Sequence, residues 1–266
     1  MDLDVPSGAP APDLQLQQYL RFAAPRRGQT LQVGPFLATF DGRDDRPFVN
    51  YAIPDIGARP TAEDVAALVA AYEHRDRLPR LEYLPRAAPA VEAALLAGGF
   101  TIEGRLPMMT CEPQQLVVPA PDPDVELAAP SDDSELYGMS AAQHAAFGDA
   151  PPNLAAVARH RTMLDAGALA ILARDGRTGE VVGGGVTTVP SHGVTEIAGI
   201  GVLESHRRRG IATAMTARLA ADAFAAGITT AWLTPGDDGA HRAYARAGFA
   251  DSTVMLHISR PKSGGR

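Results

Sequence analysis

The chain has little of what builds disulfides, zinc sites and membrane spans. Among its 266 residues there is one cysteine, so Cys111 cannot form an internal disulfide, and its apolar surroundings predict a buried thiol in a reducing compartment. No group of cysteines and histidines has the spacing of a zinc site, and no apolar run approaches the roughly 18 residues of a membrane helix. These absences predict a protein with no metal centre and no membrane partner.

The start of the chain also lacks the features of an export signal. Its first residues, M-D-L-D-V-P-S-G-A-P-A-P, are acidic and rich in proline. A signal peptide instead begins with a basic segment and continues with an apolar core. Together with the single reduced thiol, this predicts a cytoplasmic protein.

Positive charge is scarce, and nearly all of it is arginine. Lysine and arginine number 24 against 31 aspartates and glutamates, which gives a formal net charge of −7, and Lys262 is the only lysine. A general nucleic-acid binder must neutralise phosphates with positive charge, so we expect no nucleic-acid partner. The acidic balance is compatible with a cationic amine substrate. The preference for arginine and alanine is typical of a GC-rich bacterial genome.

Three of the arginines are consecutive, and they stand between a predicted strand and a predicted helix. Thr195–Leu203 is an alternating apolar run that predicts a strand, and the alanine-rich Ile211–Gly227 predicts a helix. The first amides of a helix have no intrahelical partner and attract anions. Gly210 lacks the Cβ that would keep a ligand away from the backbone. Arg207–Gly210 therefore predict a phosphate-binding loop.

Two segments in this half of the chain resemble the signatures of the GNAT acyltransferase superfamily. R-R-R-G-I-A at Arg207–Ala212 is similar to the Arg/Gln-x-x-Gly-x-Gly/Ala loop that binds the pyrophosphate of acetyl-CoA in that family. D-D-G-A-H-R-A-Y-A-R-A-G-F at Asp237–Phe249 resembles the Asn-x-x-Ala-x-x-x-Tyr-x-x-x-Gly-Phe helix, with aspartate where asparagine is usual. A strand-like segment, Thr229–Pro235, separates them. The resemblance covers roughly Val125–Arg260, an ordinary domain length.

The resemblance implies acetyl transfer from acetyl-CoA to an amine, without a metal. It implies that Tyr244 donates a proton to the leaving thiolate or bonds the sulfur; the alternative is a ring packed between helix and sheet. The position of Glu196, eleven residues before Arg207, is similar to that of the glutamate base in the histone-acetyltransferase branch. A solvated carboxylate is the alternative for Glu196, and His192, in a predicted exposed turn, is the rival base.

The resemblance also implies which residues contact acetyl-CoA. They belong to the strand, the arginine loop, the start of the following helix and the second signature. On the strand, the two-residue period predicts one shared face for Glu196, Ala198, Ile200 and Val202. The implied cofactor-binding residues are Ile200, Val202, Arg207, Arg208, Arg209, Gly210, Ile211, Ala212, Thr213 and Asp237.

The other elements of this half follow from local patterns. Val125–Ala128 predicts a strand, the cap-type residues Ser131–Ser134 begin a helix that reaches Phe147, and Asn153–Ala166 predicts another helix. Strands Ala168–Arg174 and Glu180–Val189 flank an R-D-G-R-T-G hairpin turn. In the second of these strands, the triple glycine Gly183–Gly185 predicts a bulge or a close approach by a ligand.

The first half of the chain repeats this pattern at a constant shift. L-A-G-G-F at Leu96–Phe100 matches A-R-A-G-F at Ala245–Phe249, and the difference between 249 and 100 is 149. The same shift places Ala62–Arg77 on Ile211–Ala226. This predicts two GNAT-like domains in tandem, each a mixed α/β sheet flanked by helices. Proline-rich punctuation near Pro119–Pro123 predicts a boundary between residues 1–120 and 121–266.

The first copy lacks the residues that the second copy is predicted to use for phosphate binding and proton donation. In place of the arginine loop it has Pro60, which has no N–H to donate, Thr61 at the position of the key glycine, and the negative Glu63. Leu95 stands where the second copy has Tyr244. We therefore expect a degenerate first domain that binds coenzyme A poorly.

The sequence as a whole predicts a bacterial N-acetyltransferase that uses acetyl-CoA to acetylate a primary amine of a small molecule or peptide. Two alternatives stay open: an acyl-CoA sensor without turnover, and a transferase of a longer acyl group. The identity of the acceptor is also open, as is a homodimer.

Overall fold

The computed structural model describes residues 11–26, 28–42, 44–120 and 122–261. The acidic start of the chain, Pro121 and Lys262 lie outside the described residues. The chain forms two compact units: described residues up to Pro107 with those from Ser252 onward, and residues Met108–Asp251. The predicted partition into 1–120 and 121–266 concerns folding domains and stays a prediction. In the described part of the chain, no helix combines the length and apolar character needed to cross a membrane.

Both units are built from helices and strands. The helices are α1 (Ala11–Ala23), α2 (Ala62–Glu73), α3 (Val91–Ala97), α4 (Asp133–Phe147), α5 (Leu154–Asp165), α6 (Ile211–Ala225) and α7 (Asp238–Arg246). The strands are β1 (Gln29–Val33), β2 (Phe36–Phe40), β3 (Ala52–Pro54), β4 (Arg80–Tyr83), β5 (Thr101–Cys111), β6 (Val125–Ala128), β7 (Ala170–Asp175), β8 (Val181–Thr187), β9 (Val194–Val202), β10 (Thr230–Leu233) and β11 (Ala250–Ser259).

The first unit is a mixed sheet covered by α2 and α3. Its strand order is β1-β2-β3-β4-β11-β5, with β3 and β4 parallel and β4 and β11 antiparallel. The apolar residues of α2 recur at the spacing of one helix face. They are buried against the sheet in a core with Tyr83 and Leu256; the α2 members are Val65, Leu68, Val69 and Tyr72.

The second unit is also a mixed sheet, with helices on both faces. Its strand order is β5-β10-β9-β8-β7-β6; β9 and β10 are parallel, and the other described pairs are antiparallel. Alternation along β7 separates the two faces: Ile171 packs with residues of α6 and α7, and Leu172 packs with residues of α4 and α5. The predicted mixed α/β class is confirmed.

Most local predictions for the second unit hold to within a few residues. The predicted strand Val125–Ala128 is β6, and α6 begins at Ile211 as expected. Asp132 caps α4 and Asn153 caps α5, each by accepting a hydrogen bond from a first-turn amide. The predicted helix from Ala62 is shorter than expected, because α2 ends at Glu73 and the chain turns through Asp76 with φ 53°.

The single thiol is buried, as predicted. Cys111 has no exposed surface and belongs to the core of the second unit. Burial, with a smaller contribution from the Glu112 carboxylate, raises the pKa of the thiol to about 11. The thiol therefore stays protonated and unreactive near neutral pH.

Elements at equivalent places in the two units are separated by 149 residue positions. Helix α2 begins at Ala62 and α6 at Ile211. After α3, Gly99 has φ 82°, and after α7, Gly248 has φ 97°. Duplication with loss of function in the first copy stays a prediction, and these matching positions support it.

Candidate active site

Strands β9 and β10 form a fork in the second unit. They pair in parallel from Val194 opposite Thr230 to Glu196 opposite Trp232. In the described chain the register ends there, and β9 continues to Val202 without a strand on that side. A strand edge of this kind presents N–H and C=O groups to an extended ligand. The fork is therefore a place where an extended molecule can lie along β9.

A bulge interrupts β9 just beyond the fork. Gly184 pairs with Gly201 and Val186 with Ala198, so Gly199 and Ile200 together oppose the single residue between 184 and 186. Gly199 has φ +64°, a conformation that favours glycine. The bulge lies in β9, opposite the triple glycine of β8, and so in the partner of the strand for which the sequence predicted it.

The bulge overturns one sequence prediction. Glu196, Ala198, Ile200 and Val202 do not share a face. Ala198 packs with α4 and α5, whereas Ile200 and Val202 pack with α6 and α7. The extra residue in β9 shifts the two-residue alternation by one position, and strict periodicity cannot show such an insertion.

The arginine loop ends in an open helix N-terminus. Gly210 is the N-cap of α6 with φ 79°, and no side chain caps the helix. A Cβ built on Gly210 meets nothing within 4 Å. The first-turn amides of Ile211, Ala212 and Thr213 lack intrahelical partners, and the buried Thr213 hydroxyl also finds no hydrogen-bond partner among the described residues. This end of α6 has the geometry of an anion site.

The three arginines of the loop differ in what they contact. Arg207 donates to the carbonyls of Val202 and Ala146 at 3.2 and 2.9 Å. Arg209 makes a paired contact with the Asp122 carboxylate at 2.9 and 3.1 Å, which lowers the pKa of Asp122. Arg208 is exposed with φ 63°, and no described residue accepts a hydrogen bond from its side chain. Arg207 and Arg209 therefore brace the loop, whereas the exposed side chain of Arg208 makes no such contact with the described residues.

His206 ties the same loop to the hairpin between β7 and β8. Its Nε2 lies 3.1 Å from the Asp175 carboxylate, and its Nδ1 lies 2.9 Å from the Ser205 hydroxyl. Hydrogen bonds from the backbone N–H groups of Thr178 and Arg177, and then from His206, lower the pKa of Asp175. Both ring nitrogens of His206 are thus engaged, and its visible contacts serve the loop.

Tyr244 lies on α7 and is 9% exposed. Its ring packs in the cluster that contains Val202, Ile211 and, at the edge, Ile200. Burial raises the pKa of its phenol, and the negative charge of Asp237 raises it further. Asp237 itself caps α7 by accepting a hydrogen bond from the Ala240 amide at 2.7 Å. The phenol therefore stays protonated near neutral pH, as a proton donor must.

Glu196 occupies the last paired position at the fork. Its side chain is half-buried, and its backbone is tied to Thr188, which donates to its carbonyl at 2.9 Å and accepts from its amide at 3.0 Å. Alternation places Glu196 on the face of Ala198 and not in the cluster of Tyr244. His192 is exposed in the turn before β9, with φ 49°, as the turn prediction expects.

Gln143 on α4 is a residue that the sequence analysis missed. It is buried, and its side-chain amide donates to the carbonyl of Gly199 at 2.7 Å. The glycines Gly183–Gly185 were a signal that something packs closely against β8, but they do not identify the helix. Among the described residues, no group of three or more His, Cys, Asp and Glu side chains is placed to hold a metal ion.

Comparison with protein families identifies the second unit. Residues 137–249 match the family model described as "Acetyltransferase (GNAT) family". This segment is a GNAT domain, and the class of enzyme that its fold and family define is an acyltransferase. No curated protein sequence matches the chain.

Solved structures extend the similarity over nearly the whole chain. A GCN5-related N-acetyltransferase from Kribbella flavida is 28% identical, with a TM-score of 0.78 over 94% of this chain and 96% of that one. Another from Sphaerobacter thermophilus is 18% identical, with a TM-score of 0.63 over 85% and 78%. A tandem GNAT protein from the clavulanic acid biosynthesis pathway is 14% identical, with a TM-score of 0.60 over 98% and 99%. The last two likenesses concern the fold alone, which is that of tandem GNAT proteins.

Proposed function

We propose that the chain transfers an acetyl group from acetyl-CoA to a primary amine of a small molecule or a peptide. The observation that carries the proposal is the pairing of two open features in one unit. The uncapped N-terminus of α6 is suited to a pyrophosphate, and the unpaired edge of β9 leads from it towards the fork. Coenzyme A has this order of chemistry, an anionic group followed by an extended amide-bearing arm that ends in the thiol.

The residues that would hold acetyl-CoA fall into two groups. The amides of Ile211, Ala212 and Thr213, with the Arg208 guanidinium, provide donors and positive charge for the pyrophosphate. The backbone of β9 provides a hydrogen-bonding group at Val202 for the arm and one at Ile200 for the acetyl carbonyl at its end. Arg207 and Arg209 act by fixing the loop, since their side chains are already bound to Val202, Ala146 and Asp122.

The proposed chemistry needs one proton acceptor and one proton donor. Glu196 lies at the fork on the face of the sheet opposite Tyr244, and from that side it takes a proton from the ammonium form of the acceptor, directly or through water. The free amine attacks the thioester carbonyl, so that a C–N bond forms and the C–S bond breaks. Tyr244 gives its phenolic proton to the departing thiolate, which leaves as the free thiol of coenzyme A. The attacking nitrogen loses its remaining extra proton as the amide forms, and that proton, passed on through water, neutralises the tyrosinate. Glu196 returns its own proton to solvent.

We also propose where the reaction takes place, which is the cytoplasm of a bacterium. The lone thiol, Cys111, is buried and reduced, which suits a cytoplasmic protein. The bacterial relatives and the preference for arginine over lysine support a bacterial origin. In the first unit we propose a supporting GNAT-like domain that does not bind acyl-CoA.

The direct test is a screen of amine acceptors with acetyl-CoA, in which release of free thiol is measured. We expect thiol release that depends on both the amine and the enzyme, with an acetylated amine as the second product. Faster turnover with a longer acyl-CoA would identify that compound, and not acetyl-CoA, as the acyl donor. Saturable binding of acetyl-CoA without thiol release over a broad set of amines would contradict the proposal and indicate a sensor.

A further inference from the structure

Three glycines leave a flat surface on the sheet of the second unit, and α4 packs directly against this surface. A Cβ on Gly184 would lie 2.7 Å from Met139 Cγ, and a Cβ on Gly199 would lie 2.6 Å from Gln143 Nε2. A Cβ on Gly201 would lie 3.0 Å from the Cβ of Ala146. Side chains at these positions would push the helix away from the sheet. The glycines of β8 and β9 therefore bring α4 into contact with the bulge.

Gln143 is the polar side chain of α4 that lies at this contact with the sheet. It is 7% exposed, and its Nε2 donates to the Gly199 carbonyl at 2.7 Å. Gly199 is the bulge residue with φ +64°. A buried amide of this kind stabilises one orientation of the carbonyl that it binds, because the alternatives leave polar groups unpaired.

Fixing this carbonyl also fixes the next amide. In a trans peptide the C=O of Gly199 and the N–H of Ile200 point in opposite directions. Because Gln143 draws the carbonyl towards α4, the Ile200 N–H is directed away from α4. The side chain of Ile200 also lies on that far side, in the cluster that includes Tyr244. The hydrogen bond from Gln143 thus sets the direction of a backbone dipole beside the fork.

We propose that Gln143 is a positioning residue for acyl transfer, which acts by holding the Gly199–Ile200 peptide in its bulged orientation. The inference rests on the proposed function. A preoriented N–H beside the thioester carbonyl stabilises the negative charge that develops on its oxygen during attack. The pyrophosphate site at α6 does not involve this peptide, so loss of the Gln143 bond should affect turnover and spare binding.

The first test variant is Gln143→Met, which keeps the length of the side chain and removes the donor. We expect kcat for thiol release to fall by about 10-fold or more, with the Kd of coenzyme A, measured by calorimetry, within about twofold of wild type. Ala145→Ser is the matched control, because Ala145 is an exposed residue on the same helix. The control should leave both values unchanged.

The second variant, Gln143→Glu, gives a readout that a purely structural role does not move. When protonated, a glutamic acid can donate its O–H to the Gly199 carbonyl, and when ionised it repels that oxygen. We expect the ratio of its kcat to that of the wild type to rise as the pH falls from 8 to 6. Thermal unfolding at each pH separates this rise from changes in the folded fraction.

The outcomes distinguish this inference from the function on which it rests. Wild-type kcat in Gln143→Met, or a pH-independent ratio for folded Gln143→Glu, would overturn the positioning role alone. Absence of thiol release by the wild-type chain with every amine would overturn the proposed function and, with it, this role.

Discussion

The N-termini of α2 and α6 begin 149 residues apart, and they differ in how their first amides are used. At α2, the Thr61 hydroxyl accepts from the Asp64 amide at 3.2 Å, and the Asp64 carboxylate accepts from the Thr61 amide at 2.8 Å. At α6, Gly210 caps the helix with no side-chain hydrogen bond. One helix end is closed by its own side chains, and the other is left open for an anion.

The charged residues near the N-termini of α2 and α6 differ in the same way. The first turn of α2 carries Glu63 and Asp64, whereas the first turn of α6 carries no acidic residue and follows Arg208. Two carboxylates complement the helix dipole of α2 and repel a bound phosphate. The comparison teaches that a helix can be stabilised by a cap or kept available for a ligand, and that the same few positions decide which.

The largest effect is expected from Gly210→Asp, which gives the open helix an acidic side chain. A carboxylate within a few ångströms of the pyrophosphate costs about 4 kcal/mol, so acetyl-CoA affinity should fall by about 10³-fold. Gly227→Asp is the matched control at the other end of α6, because Gly227 also has positive φ, 91°, and free space around it. Unchanged affinity in folded Gly210→Asp, measured by calorimetry, would remove the loop from the site.

Tyr244→Phe tests the second difference between the two units, which is the phenol at the chemical step. The first unit has the buried Leu95 at the corresponding position and so has no phenol there. Loss of one general acid predicts a decrease in kcat of about 10²-fold, with acetyl-CoA affinity changed by no more than about threefold. Because burial raises the pKa of Tyr244, the decrease should be constant from about pH 6 to pH 9. Wild-type turnover would leave Tyr244 with a packing role; Tyr137→Phe, at an exposed tyrosine, is the control.

A smaller effect is expected from Glu196→Gln. The residue 149 positions earlier is Pro47, in a 3-10 turn and not a strand, so the first unit offers no equivalent carboxylate. We expect kcat to fall by about 10-fold, and most at low pH, where amines that lack a base are largely protonated. The measurement is the pH profile of thiol release, with the exposed Glu180→Gln as control. A profile that matches wild type would assign the proton transfer to another group, and His192→Ala would then test the rival base.

The smallest effect on ligand binding is expected from Thr61→Ala, which breaks the capping box of α2. Loss of such a cap typically destabilises a protein by about 1 kcal/mol, while acetyl-CoA affinity should not change. Chemical denaturation measures the first quantity and calorimetry the second. Thr61→Ser keeps the hydroxyl and should restore the stability. A change in affinity with Thr61→Ala would show that α2 contributes to the ligand site.

Local sequence patterns predicted the elements of the second unit because their causes are local. Gly210 followed by an alanine-rich run marks the start of α6, and Asn153 is a cap residue at the start of α5. The bulge was not predictable, because Gly199 is one of 26 glycines and its φ depends on the partner strand. The face of Ile200 was therefore predicted wrongly.

Side-chain partners distant in sequence were equally beyond prediction. Arg209 and Asp122 are separated by 87 positions, and Gln143 and Gly199 by 56. Nothing in either local segment selects these partners, since the packed sheet brings them together. The sequence could indicate three arginines near a phosphate, and only the structure divides them into two that brace the loop and one that makes no such contact with the described residues.

The central claim is that the open helix end of the second unit holds acetyl-CoA and the closed helix end of the first unit does not. Calorimetric titration of the full chain with acetyl-CoA tests this directly, because it counts sites as well as measuring affinity. The account predicts a stoichiometry near one per chain, and no saturable binding in Gly210→Asp. A stoichiometry near two, with one site retained in Gly210→Asp and lost on substitution of Arg59 or Glu63, would contradict it.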